Sequence, residues 1–359
     1  MKPILKKAAW LIGGVGCIYA VLLVMSLVLF PMDRQAEGLD TAISGQTIYM
    51  TEPKYLFLNR SALRADEDRL ILLGASNVVS GFRPRDLQPL LPDVVVNNLG
   101  VSGSNITELR QAFELIRAVQ APTAPERTTY VIGIWYGMFV PDALKWHTAD
   151  RHGGETDLDI ERYRYGFFRR SADGPIQVLP SDYIELGSAL VRPFLMVDRL
   201  ARNATDTLRA SFLKNQPRRT EEQRNAARVK PEDQARFLAF WKAQFGEANT
   251  VPDEQFTVLS ELVTEMLDSG SKVVIVDLPL PSWHADQAPL NASYLALMSA
   301  TLRQFSGRPG FSYLNMQSDF PDDEFVDEAH PKPRARPHWA KKLAEFLNGS
   351  LQSGGVKIQ

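Results

Sequence analysis

Leu70-Ile71-Leu72-Leu73-Gly74-Ala75-Ser76-Asn77 is the stretch on which the fold turns. Four large aliphatic residues in a row, with no polar residue alternating among them, suit a strand buried on both faces. Such strands belong to parallel sheets covered by helices. Gly74 closes the run, and Ser76 stands where the strand gives way to a turn or helix. Reading outward, short apolar runs alternate with helical patterns. Val94–Val96 is a second strand. A helix from about Ser104 to Val119 carries Ile106, Leu109, Phe113 and Ile116 at helical spacing. Asn105 and Glu108 open it with the spacing of a capping box. Thr129–Trp135 is a third, nearly continuous apolar strand. After a long break come a helix near Glu254–Ser269 and a strand at Lys272–Leu278, ended by Pro279 and Pro281. A helix at Asn291–Phe305, a strand at Phe311–Asn315 and a last helix from about Pro337 to Leu347 follow. The alternation predicts an α/β fold with a doubly wound, mostly parallel sheet.

The chain begins differently. Lys2, Lys6 and Lys7 precede Ala8–Phe30, which contains no charge and is broken by Pro31. That length spans a bilayer as a helix, and lysines ahead of it place the amino terminus in the cytoplasm. A cleaved signal peptide is the alternative, but its apolar core is shorter and ends in a small-x-small site. Phe30-Pro31-Met32-Asp33 offers none. Residues 1–30 are therefore the anchor, 31–67 a juxtamembrane segment, and 68–359 the main domain. Residues of about 140–250, charged and rich in Arg pairs, form a largely helical insertion, with helices at Pro193–Arg202 and Pro231–Phe245. The single cysteine, Cys17, lies inside the apolar span, so disulfides contribute nothing outside it.

A formal net charge of -2 gives no case for nucleic acid as a partner. A hydrophobic content of 45% over 359 residues allows one sizeable core plus an insertion. Glu161–Arg170 is locally basic and aromatic. It is either a solvated face or a surface for anionic glycans or lipid headgroups.

Asp327-Glu328-Ala329-His330-Pro331 stands far from Ser76 in sequence. A serine beyond a strand and a late Asp-x-x-His supply a nucleophile, a base and an acid that orients the base. His330 would take the serine proton and Asp327 would hold the imidazole. Taken singly, Ser76 reads first as a helix cap and His330 as a loop histidine; taken together in this order, the residues read as a serine–histidine–aspartate site. His338 is a rival base, but it falls in the final helix without a matching Asp. Between the motifs, Asn97–Ser104 is rich in glycine and serine, and a backbone N–H there can face a developing oxyanion.

With these residues the chain resembles the SGNH/GDSL hydrolase superfamily. Gly74-Ala75-Ser76-Asn77 matches the nucleophile block, with Ala75 where Asp is usual. Gly103 matches the glycine of the second block, and Asp327 and His330 match the last. The resemblance covers roughly residues 68–138 and 255–350. The third block departs: the family has Gly-x-Asn-Asp, and here stands Gly133-Ile134-Trp135-Tyr136-Gly137. The side-chain amide that helps bind the oxyanion is therefore missing at Trp135, leaving Asn77, Asn105 or Tyr136 as substitutes. The resemblance implies a flavodoxin-like core, with oxyanion donors at Asn77 and Gly103. Trp135, Tyr136 and Asn105 become candidates for substrate binding.

The anchor, the early serine and the late Asp-x-x-His also look like the membrane-anchored D-alanyl-transfer proteins of the teichoic-acid pathway. That implies a serine esterase or O-acyltransferase on the periplasmic or extracellular side. It would act on acyl groups of an envelope glycan, with a membrane-bound O-acyltransferase as partner. A non-catalytic glycan-binding or assembly module is the other reading, motivated by Ala75 and Trp135. No cofactor and no metal are expected. His147, His152, Asp157 and Asp159 do not have the spacing of a metal site. Asp277, at a strand end, either lines the crevice or ends the strand in a turn. Trp283 and His284 are placed at the pocket border.

Overall fold

The computed structural model describes residues 2–29, 67–100, 103–146, 168–171, 174–178 and 221–353, with single residues at 63, 190, 193 and 197. The strands are β1 (Arg69–Gly74), β2 (Val95–Asn98), β3 (Thr128–Ile134), β4 (Phe168–Ser171), β5 (Gly174–Val178), β6 (Lys272–Asp277) and β7 (Phe311–Asn315). The helices are α1 (Lys2–Leu29), α2 (Ser76–Gly81), α3 (Pro84–Leu87), α4 (Ile106–Val119), α5 (Asp142–Trp146), α6 (Glu221–Ala226), α7 (Pro231–Gln244), α8 (Glu254–Asp268), α9 (Ser282–Gln287), α10 (Pro289–Phe305) and α11 (Arg336–Ser353). Five strands pair in the order β2-β1-β3-β6-β7, every pair parallel. This is an α/β fold with a flavodoxin-like sheet. The chain first steps from β1 to β2, then reverses direction through β3, β6 and β7. With right-handed crossovers, that reversal puts helices on both faces and leaves a switch point between β1 and β3.

The apolar runs form the sheet because they are the part of the chain able to fill its middle. Ile71, Leu72, Leu73, Val131, Ile132, Ile134, Val273, Ile275 and Val276 are all fully buried. α4 lies beside α8, joined at the rim by the Arg110–Glu261 and Arg117–Glu265 ion pairs. α11 packs on the other group of helices. Trp339 touches Phe82 with ring centroids 6.0 Å apart, and a Cβ on Gly81 would lie 2.5 Å from its ring.

Element bounds follow the expected ones closely, with differences at the final helix, which runs on to Ser353, at β2 and in the insertion. β2 runs on through Asn97 and Asn98, which read as loop residues. Their polar side chains are satisfied inside: Arg69 Nη1 donates to Asn97 Oδ1 at 2.6 Å, and Asn98 Nδ2 donates to the Val78 and Phe82 carbonyls. The insertion, expected to be largely helical, also contains an antiparallel strand pair, β4–β5. The expected helix at Pro193–Arg202, the histidines and aspartates of 147–159, most of Glu161–Arg170 and most of the juxtamembrane segment lie outside the described residues.

α1 includes a stretch, Pro3–Ser26, with mean hydropathy 2.2. It is long and apolar enough to cross a membrane.

Candidate active site

Ser76 owes its position to glycines. β1 ends at Gly74, which pairs in register with Gly133 of β3. A Cβ on Gly74 would lie 2.2 Å from Val78 Cγ2 and 2.6 Å from the Gly133 carbonyl oxygen. A Cβ on Gly133 would lie 2.4 Å from the same Val78 methyl. The two glycines thus leave a hole that Val78 fills, and α2 sits tight on the end of the sheet. Gly74, at φ +154°, also has a backbone conformation that L side chains rarely adopt. Gly100, on the loop after β2, approaches Gly74 in the same way, and its N–H donates to Asn98 Oδ1 at 3.1 Å. Asn98 therefore ties that loop to α2. The helix-cap alternative for Ser76 does not hold, because Ala75 is the N-cap and Ser76 is the first helical residue.

The Ser76 hydroxyl instead meets His330, 254 residues away, with Oγ and Nε2 2.7 Å apart. His330 sits on a short closed loop. Phe325 bridges to Pro331, Val326 N–H donates to the His330 carbonyl at 2.9 Å, and Lys332 N–H donates to the Glu324 carbonyl at 2.7 Å. Inside the loop, Asp327 Oδ1 accepts from the Ala329 and His330 N–H groups at 3.1 and 2.9 Å. The same oxygen lies 2.8 Å from His330 Nδ1, and Oδ2 lies 3.0 Å from it. A carboxylate can only accept, so Nδ1 carries a proton, and in the neutral ring Nε2 presents its lone pair to the Ser76 O–H.

Electrostatics follow the geometry. Burial alone would lower the His330 pKa, but the Asp327 charge and its hydrogen bond outweigh this and raise it above the ordinary value. Burial likewise opposes the Asp327 carboxylate, yet His330 and the two backbone N–H groups hold its pKa below the ordinary range. The side chains of Asp327 and His330 are each 28% exposed, so the pair opens to solvent.

The expected oxyanion residues fall at the same sheet edge. Among the described residues, the backbone N–H groups of Ser76 and Asn77 meet no protein acceptor; the first bonds of α2 come from Val78 and Val79. The Asn77 side chain turns inward: its Oδ1 accepts from Val78 N–H, and its Nδ2 is sealed off without a protein partner. Its backbone N–H is thus the donor it offers an incoming oxygen. Gly103 lies on the loop between β2 and α4 at φ +74°, with open space on its Cβ side.

The three expected substrate-binding residues are buried. Asn105 caps α4 in the expected capping box with Glu108. Its Nδ2 donates to Asp142 Oδ1 at 2.7 Å and to the Val140 carbonyl, which exhausts its amide. Trp135 and Tyr136 follow β3 and are 5% and 0% exposed. They stack edge-on with Trp241 of α7 and with His284 of α9. The Tyr136 hydroxyl bonds His284 Nε2, and His284 Nδ1 lies 2.7 Å from the Glu328 carbonyl inside the triad loop. Asp277 does not line the crevice. It is fully buried, accepting from the Tyr294 and Tyr313 hydroxyls at 2.5 and 2.8 Å, and burial raises its pKa to about 6. His338 points to Glu324 on the exposed side of α11, away from Ser76. Among the described residues, no His, Cys, Asp and Glu side chains group as metal ligands would.

No protein-family model matches this chain, and no curated protein matches its sequence. The geometry therefore carries the chemical argument. A serine bonded to a carboxylate-oriented imidazole, with the backbone N–H groups of Ser76 and Asn77 beside it, has the parts for acyl transfer.

Proposed function

We propose that the protein is a serine esterase or O-acyltransferase of the SGNH type. The observation that carries this reading is the continuous Ser76–His330–Asp327 hydrogen-bond relay. Ser76 Oγ attacks the acyl carbonyl carbon while His330 Nε2 takes its proton. The negative charge on the carbonyl oxygen is met by the backbone N–H groups of Ser76 and Asn77, with Gly103 as the further donor. When the tetrahedral centre collapses, the leaving alkoxide takes the proton from Nε2 and the acyl group remains on Ser76. A second hydroxyl then passes its proton to His330, attacks the acyl carbon, and Ser76 regains its hydrogen. Water in that role gives an esterase, and a glycan hydroxyl gives a transferase.

The resemblance drawn from the sequence supports an envelope glycan as acyl acceptor and a membrane-bound O-acyltransferase as partner. The lysines before α1 support an orientation with the main domain on the periplasmic or extracellular side. The test is labelling of the full-length, detergent-solubilised protein with a fluorophosphonate, read by intact mass. One adduct is expected on the wild type, none on Ser76→Ala, and a slowed reaction on His330→Ala.

Trp135 favours a second reading. An indole stands where the resembled family has its oxyanion amide, and losing one such donor costs roughly 10²–10³ in rate. A non-catalytic glycan-binding module would bind glycan equally in wild type and Ser76→Ala, and a folded wild type would take no label.

A further inference from the structure

We infer that His284 and Tyr136 form a clamp that positions the triad loop, acting through the backbone carbonyl of Glu328. The inference rests on Ser76 being the nucleophile and identifies a pair of residues that keep its base aligned. His284 is fully buried and lies on α9, outside the loop it touches. Its two nitrogens have different partners. The Glu328 carbonyl oxygen can only accept, so the nitrogen 2.7 Å from it, Nδ1, must carry the hydrogen. Nε2 then holds a lone pair, and the Tyr136 hydroxyl must donate to it. One tautomer satisfies both contacts, and the ring is neutral. Burial, the largest influence, agrees in lowering its pKa to about 4.

Glu328 lies between Asp327 and His330, so a tie to its carbonyl fixes the middle of the Asp-x-x-His segment. The loop has its own closure at Phe325–Pro331 and the Asp327 turn, but these bonds join the loop only to itself. The clamp adds a tie to the sheet, because Tyr136 follows β3 directly. The imidazole is held on its other sides by aromatic rings: Trp135 edge-on at 5.8 Å and Trp283, stacked with its plane nearly parallel, at 5.3 Å between centroids. The ring therefore cannot turn without breaking both bonds. β3 carries Gly133, which seats α2 and Ser76, and the turn after it holds the loop of His330. Nucleophile and base are thus referenced to the same strand.

Two substitutions separate the contacts. An asparagine amide nitrogen superposes on the histidine Nδ1 and keeps a donor for Glu328. A glutamine nitrogen reaches the place of Nε2 and leaves the Glu328 carbonyl without its donor. Full-length wild type, His284→Asn and His284→Gln would be compared in detergent by the fluorophosphonate labelling rate across pH 5–9, with melting curves to establish folding. His284→Gln should label about 10-fold more slowly at the alkaline plateau, since small misplacements of a base are costly. Its rise with pH should move to lower pH, because an imidazole less well paired with Asp327 loses its raised pKa. His284→Asn should stay within about threefold of wild type, with an unmoved midpoint. Equal losses in both variants with no change in midpoint would overturn the clamp and leave a packing role.

If His284→Gln does not fold, His284→Leu takes its place, with the apolar volume largely kept and the Glu328 carbonyl again left without its donor. A wild-type rate and midpoint in that variant would also overturn the proposal. If folded wild type takes no label, the catalytic reading fails separately. The clamp is then read from the His330 titration by histidine-selective NMR, where His284→Gln must lower its midpoint and His284→Asn must not.

Discussion

Replacing Asp327 with asparagine tests the relay at its most sensitive point. Asp327 Oδ1 accepts two backbone N–H bonds, from Ala329 and His330, and an amide oxygen in that position preserves both. The amide nitrogen then falls where Oδ2 stood, 3.0 Å from His330 Nδ1. Where the carboxylate could only accept, Nδ1 now faces an amide N–H as well as the amide oxygen 2.8 Å away, so the form that accepts at Nδ1 competes with the Nδ1–H form. In that competing form the hydrogen sits on Nε2, which cannot take the proton of Ser76 across their 2.7 Å contact. The loop therefore keeps its shape while, in that form, the base loses its lone pair. A tautomer fault of this kind costs roughly 10³–10⁴ in rate, about 4–5.5 kcal/mol of barrier. The assay is the second-order rate of fluorophosphonate labelling at pH 8, beside turnover of a p-nitrophenyl ester. His330 should also titrate at lower pH, since the charge that raises its pKa is gone. A folded Asp327→Asn protein that labels within tenfold of wild type would refute the assignment of His330 as the base.

Gly133→Ala should destabilise the protein by about 1–3 kcal/mol and slow labelling of Ser76, because the new methyl meets Val78 at 2.4 Å. Adding Val78→Ala should recover part of both losses, and an unshifted melting curve in the single variant would refute the packing argument. Asn105→Ala should cost about 1–2 kcal/mol through the lost cap while leaving the labelling rate unchanged, and a selective rise in ester KM would return Asn105 to substrate binding. Asp277, with its folded pKa raised to about 6, favours its protonated form, so its contribution falls as pH rises from about 4 through 6. His284, lowered to about 4, contributes with the opposite sign, its share being lost as pH falls from about 6.5 through 4. Asp277→Asn should therefore make stability rise more steeply with pH across that window than it does in the wild type, and identical pH profiles of melting temperature would refute it. The full chain should resist alkaline extraction from membranes, and deletion of residues 1–30 should release it.

The sheet was legible because its strands are continuous aliphatic runs that no other element of the chain could bury. The triad was legible because Asp-x-x-His is a local signal and the serine follows a strand end. What escaped depends on partners distant in sequence. His284 follows a proline and a tryptophan in a short helix, and nothing in that segment announces a bond to a loop carbonyl 44 residues on. Asn98 looked like the start of a loop because its acceptors belong to α2. Tyr136 read as a pocket wall, and Trp135 equally as pocket wall or core, because aromatic residues at a strand end suit either a crevice or a core. The rings of α7, from the insertion, decide for the core by covering them.

On the proposed reading, the indole at Trp135 shifts where transition-state stabilisation must come from. A side-chain amide can be aimed by its own rotamers, whereas a backbone N–H is aimed only by the path of the chain. On the proposed reading, the donors at Ser76 and Asn77 are therefore as accurate as the placement of α2 on the sheet. That placement rests on three close approaches that no Cβ permits: Gly74 and Gly133 around Val78, and Gly100 against the Gly74 carbonyl. Donors fixed in advance lose little to reorganisation when charge develops on the substrate, which is the main source of their effect. The clamp does for the base what the glycines do for the nucleophile. Both devices refer to β3, so a disturbance of that strand moves both reacting groups, and one confined to α9 moves the base alone.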